Sequence, residues 1–71
     1  MKVRGRVGDL VIVTWPKGTL GMSEAQEDNY SIPRGEMGVI VEPPMSLLTK
    51  VLWSRHGVLS VVSNHITVID T

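Results

Sequence analysis

Five short runs rich in valine, isoleucine and leucine, each closed by a turn former, divide this chain, and no stretch carries an amphipathic helix of useful length. Val7-Gly8-Asp9 is a turn signal that feeds Leu10–Thr14, and Trp15-Pro16 ends that run because proline has no N–H to give to a ladder. Gly35-Glu36-Met37-Gly38 launches Val39–Glu42, which Pro43-Pro44 stops. Leu47–Ser54 and Val58–Val62 face each other across Arg55-His56-Gly57, a hairpin turn with glycine where unusual backbone angles are needed. Ser63-Asn64-His65 reads as one 3₁₀ turn held by side-chain bonds, and Ile66–Ile69 as the fifth strand. The expected fold class is all-β, one domain over residues 1–71, since a second core would have too few residues to close.

Two segments depart from this regular pattern. In Leu10–Val13 both alternate sets, Leu10/Ile12 and Val11/Val13, are apolar, so the strand is expected to be covered on both faces or to pair with another subunit. Residues 16–35 form a long connection with Gly18, Gly21, Pro33 and Gly35. At its centre Ser23-Glu24-Ala25-Gln26 matches a helix capping box, so one helical turn is expected over Glu24–Asp28. Leu20, Met22, Tyr30 and Ile32 flank that polar centre, which predicts a loop anchored at both ends, with an ordered base and a mobile tip.

Composition narrows the setting. Hydrophobic residues make up 42% of the chain, ordinary for a globular domain, and there is no cysteine, so neither a disulfide nor a thiolate metal site is available. Such a small domain depends on a tight core or on partner subunits. The start Met1-Lys2-Val3-Arg4 is followed by no apolar run of signal-peptide or membrane length, so the chain is expected to be soluble, unprocessed and cytoplasmic. Formal net charge is zero. Residues 1–17 nevertheless hold Lys2, Arg4, Arg6 and Lys17 against Asp9, whereas residues 18–42 hold Glu24, Glu27, Asp28, Glu36 and Glu42 against Arg34.

No nucleophile elbow, Cys/His pair or phosphate-cradling glycine loop is present, so no catalytic residue, cofactor or metal is expected. Gly35 and Gly38 read as turn and bulge residues, His56 as an exposed turn residue, and His65 as a partly buried 3₁₀ residue. Trp53 reads as core and Trp15 as surface. The candidate partner-binding residues are Trp15, Leu20, Met22 and Tyr30, with docking through sheet edges or a patch of Leu47, Leu48 and Leu59 also open. The candidate nucleic-acid-binding residues are Lys2, Arg4, Arg6, Lys17 and Arg34; alternation would put Lys2, Arg4 and Arg6 on one side of an extended stretch.

Read in order, these features resemble the small five-stranded SH3-like barrels, including the KOW-type domains. They are Gly8-Asp9 before a strand, Gly35-x-x-Gly38 before another, Val51-x-Trp53 before the Gly57 turn, and a 3₁₀ turn before the last strand. Lys50–Asp70 is similar to small barrels of tailed bacteriophages of marine bacteria. The layout also resembles the small peripheral subunit of photosystem I and the variable chain of ferredoxin–thioredoxin reductase, which are docking pieces for larger partners. The resemblance implies an accessory role of phage type. With the missing catalytic groups, the doubly apolar first strand and the long anchored loop, the expected function is a non-enzymatic accessory or protein-interaction barrel, homo-oligomeric. The basic amino-terminal stretch makes a KOW-like RNA- or DNA-binding barrel the alternative. A plasmid-borne dihydrofolate reductase also uses barrels this small, but its Val-Gln-Ile-Tyr strand is replaced here by Ser60-Val61-Val62-Ser63.

Overall fold

A computed structural model of the protein describes residues 5–23, 29–44 and 47–69. These form the strands β1 (Leu10–Val13), β2 (Thr19–Met22), β3 (Asn29–Ile32), β4 (Met37–Ile40), β5 (Leu48–Trp53), β6 (Gly57–Val62) and β7 (Ile66–Val68), with a 3₁₀ turn, η1 (Ser63–His65), between the last two. All pairings are antiparallel, in the order β3-β2-β6-β5-β4-β1-β7. The all-β class expected from the sequence is the observed one, as is the 3₁₀ turn at Ser63–His65.

The strand count is not five: the described residues hold seven strands in a single sheet. The two additional strands lie inside the 16–35 connection, where Thr19 pairs with Ile32 and Met22 with Asn29. This hairpin is the ordered base of the loop, and a single register position, Met22 opposite Ser60, joins it to β6. Anchoring is uneven. Ile32 is fully buried and Met22 half-buried, whereas Leu20 and Tyr30 are exposed. The helical turn expected over Glu24–Asp28, and with it the tip, lies outside the described residues.

Alternation sorts every residue of the central strands. Val11, Val13, Ile40, Val51, Trp53, Leu59 and Val61 point inward and join Ile32 and Ile66 in the core. Leu59 is therefore core, while Leu47 and Leu48 are exposed, so the three leucines form no common patch. Trp53 is 1% exposed and its Nε1 has no hydrogen-bond partner among the described residues. Among the described residues the one fully buried side-chain hydrogen bond joins Thr49 Oγ1 and Ser63 Oγ, at 2.6 Å, and ties η1 to β5.

Two glycines fix the geometry around Trp53. Gly57, opposite Trp53 at the end of the Ser54-Arg55-His56 turn, has φ +77°, the left-handed region glycine enters without penalty. Gly38 lies between Val11 and Trp53 on the inner face, and a Cβ there would meet Val51 Cγ1 at 2.5 Å and Trp53 Cε3 at 2.9 Å. It is a close-approach residue that makes room for the indole rather than a bulge, whereas Gly35, at φ +94°, is the turn residue expected.

Candidate interaction surface

The outward positions of β1, β4, β5 and β6 are Leu10, Ile12, Met37, Val39, Leu48, Lys50, Leu52, Val58, Ser60 and Val62. Only Lys50 and Ser60 among them are polar. An antiparallel sheet with one solvated face ordinarily alternates apolar-in with polar-out. Here the outer face is as apolar in type as the inner one.

Register aligns these side chains into rows. Leu10 is opposite Val39, Val39 opposite Leu52, and Leu52 opposite Val58, giving an unbroken apolar row across four strands. Ile12 and Met37 form a second, shorter row beside it. Directly opposed side chains on one face have Cβ atoms about 5 Å apart, so each row is a continuous contact surface. Leu52 is 46% exposed, Val58 45% and Met37 41%, while Leu10, Ile12 and Val39 are half-buried by their neighbours. The expectation that β1 is apolar on both sides thus extends to three further strands, which only the register reveals.

Lys50 bounds the rows on one side. Its Nζ lies 3.2 Å from Glu42 Oε2, the only ion pair among the described residues. With Pro43, Leu48 and Ser60 the pair lines a shallow hollow of about 230 Å³.

The residues singled out from the sequence as partner-binding do not share one surface. Leu20 and Met22 point to the same side of the β2–β3 hairpin as Ser31 and Asn29; Tyr30 shares the opposite side with Ile32. Tyr30 is instead near His56, with ring centroids 6.4 Å apart, so His56 is half-buried rather than fully exposed. Trp15 lies on the Leu20 side, across a groove from it. It is 46% exposed and stacks on His65 with centroids 4.4 Å apart and planes 27° from parallel.

This stack belongs to a second concavity. The turn Trp15-Pro16-Lys17-Gly18 closes through Gly18 N–H donating to the Trp15 carbonyl at 2.9 Å, with proline at the position whose φ it pre-sets. The His65 carbonyl accepts from the N–H groups of Thr14 and Trp15, and its Nδ1 is 2.8 Å from Thr19 Oγ1, fixing the ring between the β1–β2 turn and β2. Trp15, Lys17, Thr19, Leu20, Ser31 and His65 surround a groove of about 200 Å³.

The candidate nucleic-acid residues are likewise divided. A Cβ on Gly18 would lie 3.4 Å from the Arg34 backbone nitrogen, so Lys17 and Arg34 occupy adjoining turns at the exit end of β1. Arg6 is at the entry end, where its N–H donates to Asp9 Oδ2 at 2.9 Å. Lys2 and Arg4 lie outside the described residues.

Among the described residues no three His, Cys, Asp or Glu side chains are grouped to hold a metal ion, and no helix is long and apolar enough to cross a membrane. Comparison with family models, with curated proteins and with solved structures finds no match to the chain.

Proposed function

We propose that this chain is a non-enzymatic interaction module, an SH3-like barrel that docks onto protein through the outward face of β1, β4, β5 and β6. The single observation that carries the reading is the row Leu10–Val39–Leu52–Val58, apolar across four strands on the side that faces water. Contiguous apolar patches of this kind mark interaction sites more often than scattered exposed leucines do. Support for the barrel comes from the 3₁₀ turn ahead of β7 and the return of β7 to β1, with the β2–β3 hairpin occupying the long connection. A kinship with tailed-phage barrels rests mostly on the likeness of Lys50–Asp70.

The test is site-directed photo-crosslinking in cells. A benzophenone amino acid at Leu52 is expected to give a discrete protein adduct, and the same probe at Val7, exposed in the turn before β1, none. Absence of any adduct from Leu52, Val39 and Val58 would remove the docking function.

A second reading is favoured by one observation: the exposed Trp15 is held rigid on His65, with Lys17 and Arg34 on adjoining turns. An aromatic platform flanked by cations suits single-stranded nucleic acid, where each stacked base contributes about 1–3 kcal/mol. Titration with a labelled oligonucleotide in low and high salt decides it. Binding that weakens with salt and is lost in Trp15→Ala supports this reading, and no binding in low salt ends it.

A further inference from the structure

We propose that the occupant of the outward face is a second copy of this chain, packed sheet to sheet about a two-fold axis that passes near Leu52. This deepens the docking function above and rests on it. Three observations point to self-association rather than to an unlike partner.

The first is charge. A two-fold interface sets one patch against itself, so an uncompensated charge on it would meet its own copy. Of the ten outward positions on these strands only Lys50 is charged, and it is already paired with Glu42. The face as a whole is neutral, and each Lys50–Glu42 pair can exchange partners across the axis, one copy's lysine reaching the partner copy's glutamate. Complementary charge is what steers and registers an unlike partner, and the one charge among these outward positions is already compensated.

The second is size. Four strands about 4.8 Å apart, each contributing four to six residues at about 3.3 Å, make a patch of roughly 300 Å² in projection. With side chains standing out of it, the accessible area is on the order of 500 Å² per copy, and two copies bury about 1,000 Å², which meets the lower bound for a specific interface. The flanking Met22 and the rim of the Glu42–Lys50 hollow extend it.

The third is what the fold lacks. Among the described residues the core is nine side chains with Trp53 its only aromatic and there is no metal cluster, and the chain has no cysteine. Domains this small ordinarily add a disulfide, a metal or a partner subunit. Two opposed apolar sheets supply the missing second core layer in the manner of a β-sandwich.

The experiment is sedimentation equilibrium on the full 71-residue chain over a wide concentration range, with Leu52→Lys and Val58→Lys alongside and fold checked by circular dichroism. The expected result is twice 7.8 kDa for the native chain and a folded monomer for both variants. Because the native chain has no cysteine, Leu52→Cys gives an independent reading that needs no loss of association. A bis-maleimide linker about 10 Å long, the spacing of packed sheets, should join it into a covalent dimer, and Val7→Cys should not be joined.

A native chain monomeric up to millimolar concentration, with no linked Leu52→Cys dimer, overturns the proposal. The docking function then survives only if the Leu52 photo-adduct contains a different protein. A dimer that persists in both lysine variants, with no Leu52→Cys cross-link, places the interface elsewhere and overturns self-association through this face, and docking through it is again decided by the identity of the Leu52 photo-adduct.

Discussion

Replacing Gly38 by alanine probes the packing that sets the curvature of the sheet. The added methyl group would sit 2.5 Å from Val51 Cγ1, 2.8 Å from the Leu52 carbonyl oxygen and 2.9 Å from Trp53 Cε3. The oxygen is backbone and cannot rotate away, and the indole is 1% exposed with no space to retreat into. Relief therefore requires β4 and β5 to separate locally. Overpacking of this kind costs about 1–3 kcal/mol, and the upper end applies where backbone is one of the obstacles. At roughly 0.05–0.15 kcal/mol per residue, the whole chain is stable by about 4–10 kcal/mol, so the change consumes a large part of the margin. For a domain of this size each kcal/mol moves Tm by about 4–8 °C. Gly38→Ala should thus melt roughly 12–24 °C below the native chain. Gly57→Ala is the contrast: nothing lies within 4 Å of its Cβ, and only the φ of +77° is strained. That strain costs about 1–2 kcal/mol and a correspondingly smaller shift. The assay is thermal unfolding by circular dichroism, all variants at one protein concentration because association makes Tm concentration-dependent. Gly38→Ala melting within a few degrees of the native chain, or above Gly57→Ala, would refute the placement of Trp53 against β4.

Three further outcomes follow from the polar contacts. Ser63→Ala should cost about 1–3 kcal/mol by leaving the buried Thr49 hydroxyl without its 2.6 Å partner, and Thr49→Val with Ser63→Ala should recover much of that; a double-mutant cycle by urea unfolding checks the pair. His65→Ala should cost about 1–2 kcal/mol, because it removes both the Thr19 bond and the Trp15 stack, and should shift Trp15 fluorescence towards that of a solvated indole. Lys50→Ala should leave the stability of the folded chain within about 1 kcal/mol, since its pair with Glu42 is solvent-exposed, when measured in the same unfolding assay.

The sequence and the fold agree where the signals are local. β5 and β6 are legible because Gly57 marks the turn between two long apolar runs, and η1 because Ser63-Asn64-His65 interrupts valine-rich sequence with side chains that hold such turns. β2 and β3 are not: Thr19 and Gly21 occupy the inward positions of β2 and leave it no apolar set on the buried side, and β3 alternates over four residues only, Asn29–Ile32. They are stabilised by pairing with each other and by the deep burial of Ile32. The same limit applies to Gly38. A glycine before a strand suggests a bulge, and only the pairing of Gly38 with Trp53 shows that it makes room for a ring.

The proposed interaction face is half legible in the sequence. The doubly apolar β1 announces a sheet with two apolar faces, but the row through Leu10, Val39, Leu52 and Val58 depends on the register of three strand pairs. Choosing Leu20, Met22 and Tyr30 by their position in the long connection could not separate them, because the hairpin sends Tyr30 to one side and Leu20 and Met22 to the other. Lys17 and Arg34 converge through a contact between turns that are far apart along the chain.

The most direct test of the central claim is isotope-filtered nuclear Overhauser spectroscopy on a mixture of labelled and unlabelled chain. Sheet-to-sheet docking predicts contacts between copies among the methyl groups of Leu10, Val39, Leu52 and Val58, and none to Val11, Val51 or Val61 on the inner face. Inter-copy contacts confined to Trp15, Leu20 or Met22, or none at any concentration, would contradict it.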